Sequence, residues 1–124
     1  MKYFIIAGEQ SGDLHGSNLI RGLISADPQA KIFCWGGEFM EAAGGNLLMH
    51  YRKLAFMGFV TLLFNIRTIA RNMSICKKQI SDHNPDVVIL IDYPGFNLRI
   101  AKFVKSLGIK VFYYISPKIW AWNE

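Results

Sequence analysis

Asp86-Val87-Val88-Ile89-Leu90-Ile91-Asp92 decides the fold. Five consecutive apolar residues between two acids suit a strand covered on both faces, as at the centre of a parallel sheet. Asn84-Pro85 breaks whatever precedes it, and Tyr93-Pro94-Gly95 turns the chain after it. Upstream, Leu62, Ile66, Ile69, Met73, Cys76 and Ile80 alternate spacings of four and three, which predicts one long helix over 59–83. Downstream, Ile100, Phe103, Val104 and Leu107 predict a helix over 96–107 capped by Gly108, and 110–116 (KVFYYIS) reads as a further strand.

Toward the amino terminus the same alternation recurs. Residues 2–7 (KYFIIA) form a strand feeding Gly8, and 11–26 form a helix with Leu14, Leu19, Ile20, Leu23 and Ile24 on its inner side. Residues 31–35 make a second strand, 38–43 a short helix ending at Gly44, and 46–51 a short strand. This order implies right-handed βαβ crossovers and therefore an α/β, Rossmann-like parallel sheet with helices on both faces.

The 124 residues fit one domain, and 52% hydrophobic content excludes a disordered chain. Cys34 and Cys76 are isolated and read as small apolar residues of a reducing compartment. The apolar start is too short and too soon interrupted by Glu9 for a signal peptide, and 54–66 is too short to span a bilayer. The net charge is +5. Its location says more than its size: Arg52, Lys53, Arg67, Arg71, Lys77 and Lys78 lie between Glu41 and Asp82 with no acid among them.

Ligands of open parallel sheets bind beyond the carboxyl ends of the strands. The conspicuous motifs all fall there. Gly8-Glu9-Gln10-Ser11-Gly12-Asp13-Leu14-His15-Gly16 is glycine-rich and opens a helix, so its N–H groups can receive a phosphate or sugar oxygen. It matches no dinucleotide or P-loop pattern, and a turn with Ser11 or Asp13 as helix cap fits it equally. Asp92, carried by a rigid strand and followed by Pro94, is placed to act as a general base, or else to stabilise the turn. Asn97 reads as the cap of the next helix. Ser116, Trp120 and Trp122 follow the last strand, where indoles either stack on a sugar or acyl chain or pack between elements. No metal-ligand spacing occurs, and no cofactor is expected.

Taken in order, Ala7-Gly8-Glu9-x-Ser11-Gly12-Asp13-x-x-Gly16, Gly36-Gly37-x-x-Met40, Met57-Gly58, Ile91-Asp92-x-Pro94-x-Phe96-Asn97 and Tyr114-x-Ser116-Pro117-x-x-Trp120-Ala121-Trp122 resemble lipid-A-disaccharide synthase. The resemblance runs through the whole sequence and covers only the amino-terminal portion of that family. It implies the acceptor-side domain of a GT-B glycosyltransferase, spanning 1–124, with the UDP-binding carboxyl-terminal half absent and the fragment alone inactive.

The implied reaction is inverting transfer of 2,3-diacylglucosamine from a UDP-diacylglucosamine donor to an acylated glucosamine phosphate acceptor. The product is the β-1′,6-linked lipid A disaccharide, with release of UDP. Asp92 matches the aspartate proposed as base for the acceptor 6-hydroxyl, and Gly95 stands where many members carry a second acid. Gly8, Glu9, Ser11, Gly12, Asp13, Asn97, Ser116, Trp120 and Trp122 are the candidate substrate-binding positions. Because both substrates carry acyl chains, an anionic membrane surface is an expected partner. Phe59, Val60, Leu63, Phe64, Arg67 and Arg71 are its candidate contacts, in a cytoplasmic enzyme peripheral to the inner membrane of a Gram-negative bacterium.

Two other readings compete. A nucleotide-binding Rossmann module shares the sheet, but Cys34-Trp35-Gly36-Gly37 lacks the acid that ends its second strand. A non-catalytic basic module binding membrane accounts for the central charge but not for Glu9, Asp13 and Asp92 at strand ends. The same acids oppose a polyanion, so nucleic acid is not an expected partner.

Overall fold

A computed structural model describes residues 1–56 and 62–115. The chain runs β1 (Lys2–Ala7), α1 (Gln10–Ala26), β2 (Lys31–Gly36), α2 (Glu38–Ala42), β3 (Asn46–His50), α3 (Tyr51–Phe56), α4 (Leu62–His83), β4 (Val87–Ile91), α5 (Pro94–Ser106) and β5 (Lys110–Tyr114). The five strands are all parallel in the order β3-β2-β1-β4-β5. The chain builds outward from β1 to β3, then returns to the other side of β1 for β4 and β5. The reversal between β1 and β4 is the switch point of a Rossmann-like α/β domain.

Alternation along the strands divides the core in two. Phe4, Ile6, Val88 and Leu90 face α4 and α5, where they meet Met73, Cys76, Ile80, Phe96, Ile100 and Val104. Tyr3, Ile5, Ala7, Val87, Ile89 and Ile91 face the other way, onto Ile20 of α1 and Met40 of α2. Every residue of β4 is buried, as its unbroken apolar run requires. Each fully buried Val, Ile or Phe side chain contributes roughly 1.5–3 kcal/mol of transfer free energy.

The inner faces of two helices differ from the periodicity. Leu14 is 50% exposed, because α1 sits close to the sheet on Gly12, Asp13, Gly16, Ser17 and Ile20 instead. Ile69 is 39% exposed although it lies on the α4 stripe. A 22-residue helix is about 33 Å long and a five-residue strand about 17 Å, so α4 overhangs the sheet. Among the described residues of α4, Met73, Cys76 and Ile80 are the buried ones in the core.

Tyr51 opens α3 rather than ending β3, and Pro94 takes the first turn of α5, where its missing N–H has no partner to lose. Gly44 and Gly108 hold positive φ at the ends of α2 and α5, as helix-terminating glycines do. Both cysteines are free and buried. Burial pushes the Cys34 thiol up to about 12, aided by the charges of Asp13 and Glu41, and burial alone raises Cys76. Among the described residues no helix is long and apolar enough to cross a membrane.

Candidate functional site

The sheet register aligns three strand ends. Ala7 pairs with Ile91 and Ile91 with Tyr114, so the residues after β1, β4 and β5 emerge side by side. Gly8 and Glu9 enter this edge from β1, Asp92 and Tyr93 from β4. A cavity of about 310 Å³ opens next to them, lined by His15, Asn18 and Leu19 of α1 with Ile91 and Tyr114. The His15 and Tyr114 rings lie 5.7 Å apart across it.

Asp92 and Tyr93 are consecutive left-handed residues, with φ of 47° and 50°, and neither is glycine. Such conformations cost of order 1–3 kcal/mol each and persist only where their surroundings over-determine them. Here the backbone of Asp92 is held on both sides. Its N–H donates to the Tyr114 carbonyl at 2.9 Å, which extends the β4–β5 ladder by one residue. Its carbonyl accepts from the Asn97 side-chain amide at 2.9 Å and from the Tyr113 hydroxyl at 2.7 Å. Asp92 as a whole is 7% exposed, at the mouth of the switch point.

Tyr93 turns its ring across that mouth. The ring lies on the Gly8 backbone, where any Cβ would overlap it, and stacks on Phe96 at 5.5 Å. Phe96 in turn lies 5.8 Å from the buried Trp35 ring. Burial raises the Tyr93 phenol above its ordinary range, and the Glu9 carboxylate adds to that rise. Glu9 therefore stands on the rim beside Tyr93, exposed, as is Ser11.

Three sequence expectations are corrected. Asp13 is 1% exposed, and its carboxylate accepts the N–H groups of Gly37 at 2.8 Å, Met40 at 3.0 Å and Phe39 at 3.1 Å. It thus satisfies the start of α2 from α1. This is a fold-holding group rather than a substrate contact, and it caps a different helix from its own. Gly12 is buried, its α-carbon facing Ala7 and Ile91, so it sets the approach of α1 to the sheet rather than lining the mouth. Asn97 lies inside α5 and is fully buried, so it cannot reach a ligand. Its amide serves the carbonyls of Asp92, Ile91 and, at 3.5 Å, Ile6. Tyr93 and Glu9 hold the cap positions of α5 and α1 without side-chain bonds.

Gly8 and Glu9 follow β1 at the sheet edge where Asp92 follows β4, and Ser11 is exposed in the first turn of α1. Phe59, Val60, Ser116, Trp120 and Trp122, and the Met57-Gly58 motif, lie outside the described residues, as do the side chains of Leu63 and Phe64. Arg67 and Arg71 are exposed on α4. Tyr93 and Tyr113 escaped sequence reasoning; the only hint was the pairing of Gly8 with a bulky residue after Asp92, which needs the sheet order to be seen. Among the described residues no cluster of His, Cys, Asp or Glu is placed to hold a metal ion.

A family model described as lipid-A-disaccharide synthetase (LpxB) matches residues 3–124. A lipid-A-disaccharide synthase of Geobacter metallireducens is 44% identical over 98% of this chain, and one of Coxiella burnetii is 46% identical over 96%. The Legionella pneumophila lipid-A-disaccharide synthase 1 is 41% identical over 96%. The chain spans about a third of the length of these relatives, 32% of the first two and 31% of the third.

Asp13→Ala is expected to destabilise the fold by about 3 kcal/mol, since it orphans the α2 N–H groups that the carboxylate serves. Ser11→Ala, on the exposed side of the same helix, should stay within about 0.5 kcal/mol. Urea unfolding midpoints check both; equal stability of the two variants would contradict the structural assignment of Asp13.

Proposed function

The chain belongs to the lipid-A-disaccharide synthetase family, and on that premise we propose that it forms the acceptor-side domain of an inverting glycosyltransferase. The donor is UDP-2,3-diacylglucosamine and the acceptor 2,3-diacylglucosamine 1-phosphate. Asp92 takes the proton of the acceptor 6-hydroxyl as that oxygen attacks the donor anomeric carbon, and UDP leaves from the opposite side. Glu9 and Ser11 line the acceptor side of the cleft, with Ser116, Trp120 and Trp122 as further substrate-binding positions. UDP is held mainly by the part of the enzyme beyond these residues.

One observation carries the reading: a carboxylate-bearing residue stands at the β1/β4 switch point in a strained turn that is held at both its N–H and its carbonyl. Strain retained at a strand end is the mark of a site whose geometry matters more than its stability. Gly95 is exposed, and a Cβ there would meet nothing within 4 Å, so the absence of a second acid leaves no packing defect. The proton transfer falls to Asp92 alone.

The membrane surface belongs to the same proposal. Arg67 and Arg71 are exposed on α4, which overhangs the sheet. Beyond them a groove of about 830 Å³ runs between α4 and α5, with Ile69, Met73 and Phe103 in its wall and Lys77, Arg99 and Lys102 around it. Apolar floor and cationic rim suit an anionic, acylated surface. Phe59, Val60, Leu63 and Phe64 supply the apolar contact in this reading.

In the complete enzyme, Asp92→Asn should lower kcat by about 10²–10⁴ while both substrates still bind. Near-normal disaccharide formation would remove Asp92 from the chemistry. Arg67→Ala with Arg71→Ala should weaken binding to vesicles containing anionic phospholipid by roughly tenfold or more, at about 1 kcal/mol per cation. Unchanged sedimentation with those vesicles would exclude this helix from the membrane contact.

A further inference from the structure

The Asp92 carbonyl takes two side-chain donors, and only one of them belongs to the motif around Asp92. Asn97 is five residues away and divides its amide among three carbonyls. Tyr113 is 21 residues away, on β5, and its hydroxyl donates to the Asp92 carbonyl at 2.7 Å. Register makes this possible: Leu90 pairs with Tyr113, so its side chain rises on the α5 side of the sheet toward the turn above β4.

The position has a specific conformational consequence. Rotating the peptide between Asp92 and Tyr93 would swing the Asp92 carbonyl away from Asn97 and Tyr113, and the two hydrogen bonds it accepts from them oppose that rotation.

We propose that Tyr113 is a positioning residue for Asp92, its hydroxyl locking the Asp92–Tyr93 peptide in the one orientation that presents the Asp92 carboxylate to the acceptor. The inference rests on the assignment of Asp92 as base. Tyr113 touches neither substrate nor the reacting atoms and acts through the backbone of Asp92. Burial and the nearby Asp92 charge both raise the Tyr113 phenol, so it remains a donor throughout the neutral range.

The test uses the complete enzyme with both lipid substrates. Tyr113→Phe keeps the ring and removes the donor. It should lower kcat roughly three- to tenfold, the range of one net hydrogen bond, with both KM values within about twofold of the parent. Replacing Tyr113 by 4-aminophenylalanine, which returns an N–H donor at that place, should restore most of the loss. In an Asp92→Asn background Tyr113→Phe should have no further effect on the residual kcat. Unchanged kcat in Tyr113→Phe, beside an inactive Asp92→Asn, overturns the positioning role and leaves the base in place. An active Asp92→Asn enzyme instead overturns the base and this inference with it. Equal losses in both backgrounds, or a loss that tracks the folded fraction by circular dichroism, also overturn it.

Discussion

Two adjacent left-handed residues without glycine, Asp92 and Tyr93, follow the fully buried strand β4, and much of the local architecture serves to keep them there. The strain of such a pair is comparable to a sizeable part of a domain's net stability. It is offset by bonds from β5, through Tyr114 and Tyr113, and from α5, through Asn97. The Tyr93 ring then needs a neighbour without a side chain, and Gly8 at the end of β1 is that neighbour. A single backbone conformation thus ties together β1, β4, β5 and α5 at the one place where the sheet order reverses.

A second polar device works on the other half of the sheet. The Asp13 carboxylate crosses from α1 to the start of α2 and fixes the edge beyond β2. Gly37 must be bare there, because a Cβ would run into Asp13 and Tyr51. Met40 fills the space left by Gly16 and Gly36, so α1, α2 and β2 meet through small residues and one flexible side chain. The two devices leave the rim between them, carrying Glu9 and Ser11, exposed.

Much of this was legible in the residues. The run of apolar side chains before Asp92 required a strand buried on both faces, and the alternation around it required parallel crossovers. The ordered motifs pointed to the family that the comparison identifies. Legibility failed where function and scaffold use the same residue types. Asp13 and Asn97 look like ligand contacts because they are polar residues inside motifs, yet both are spent on backbone groups that only the folded sheet brings near. Leu14 misled for the opposite reason: close approach through Gly12 and Gly16 turned the inner face of α1 away from it. Tyr113 left no local signal, since its partner lies 21 residues away and is chosen by strand register. The α4 stripe was read correctly where it lies on the sheet, and it failed at Ile69 because helix and strand lengths do not match.

In the proposed function this turn presents Asp92 to the hydroxyl that attacks. A crystal structure of the complete enzyme with the acceptor and UDP bound tests it most directly. The expected result is an Asp92 carboxylate oxygen within hydrogen-bond reach of the acceptor 6-hydroxyl, roughly 2.6–3.2 Å, with Tyr93 still over Gly8. An acceptor bound with that hydroxyl facing another acid or base, out of reach of Asp92 even through one water, would contradict it.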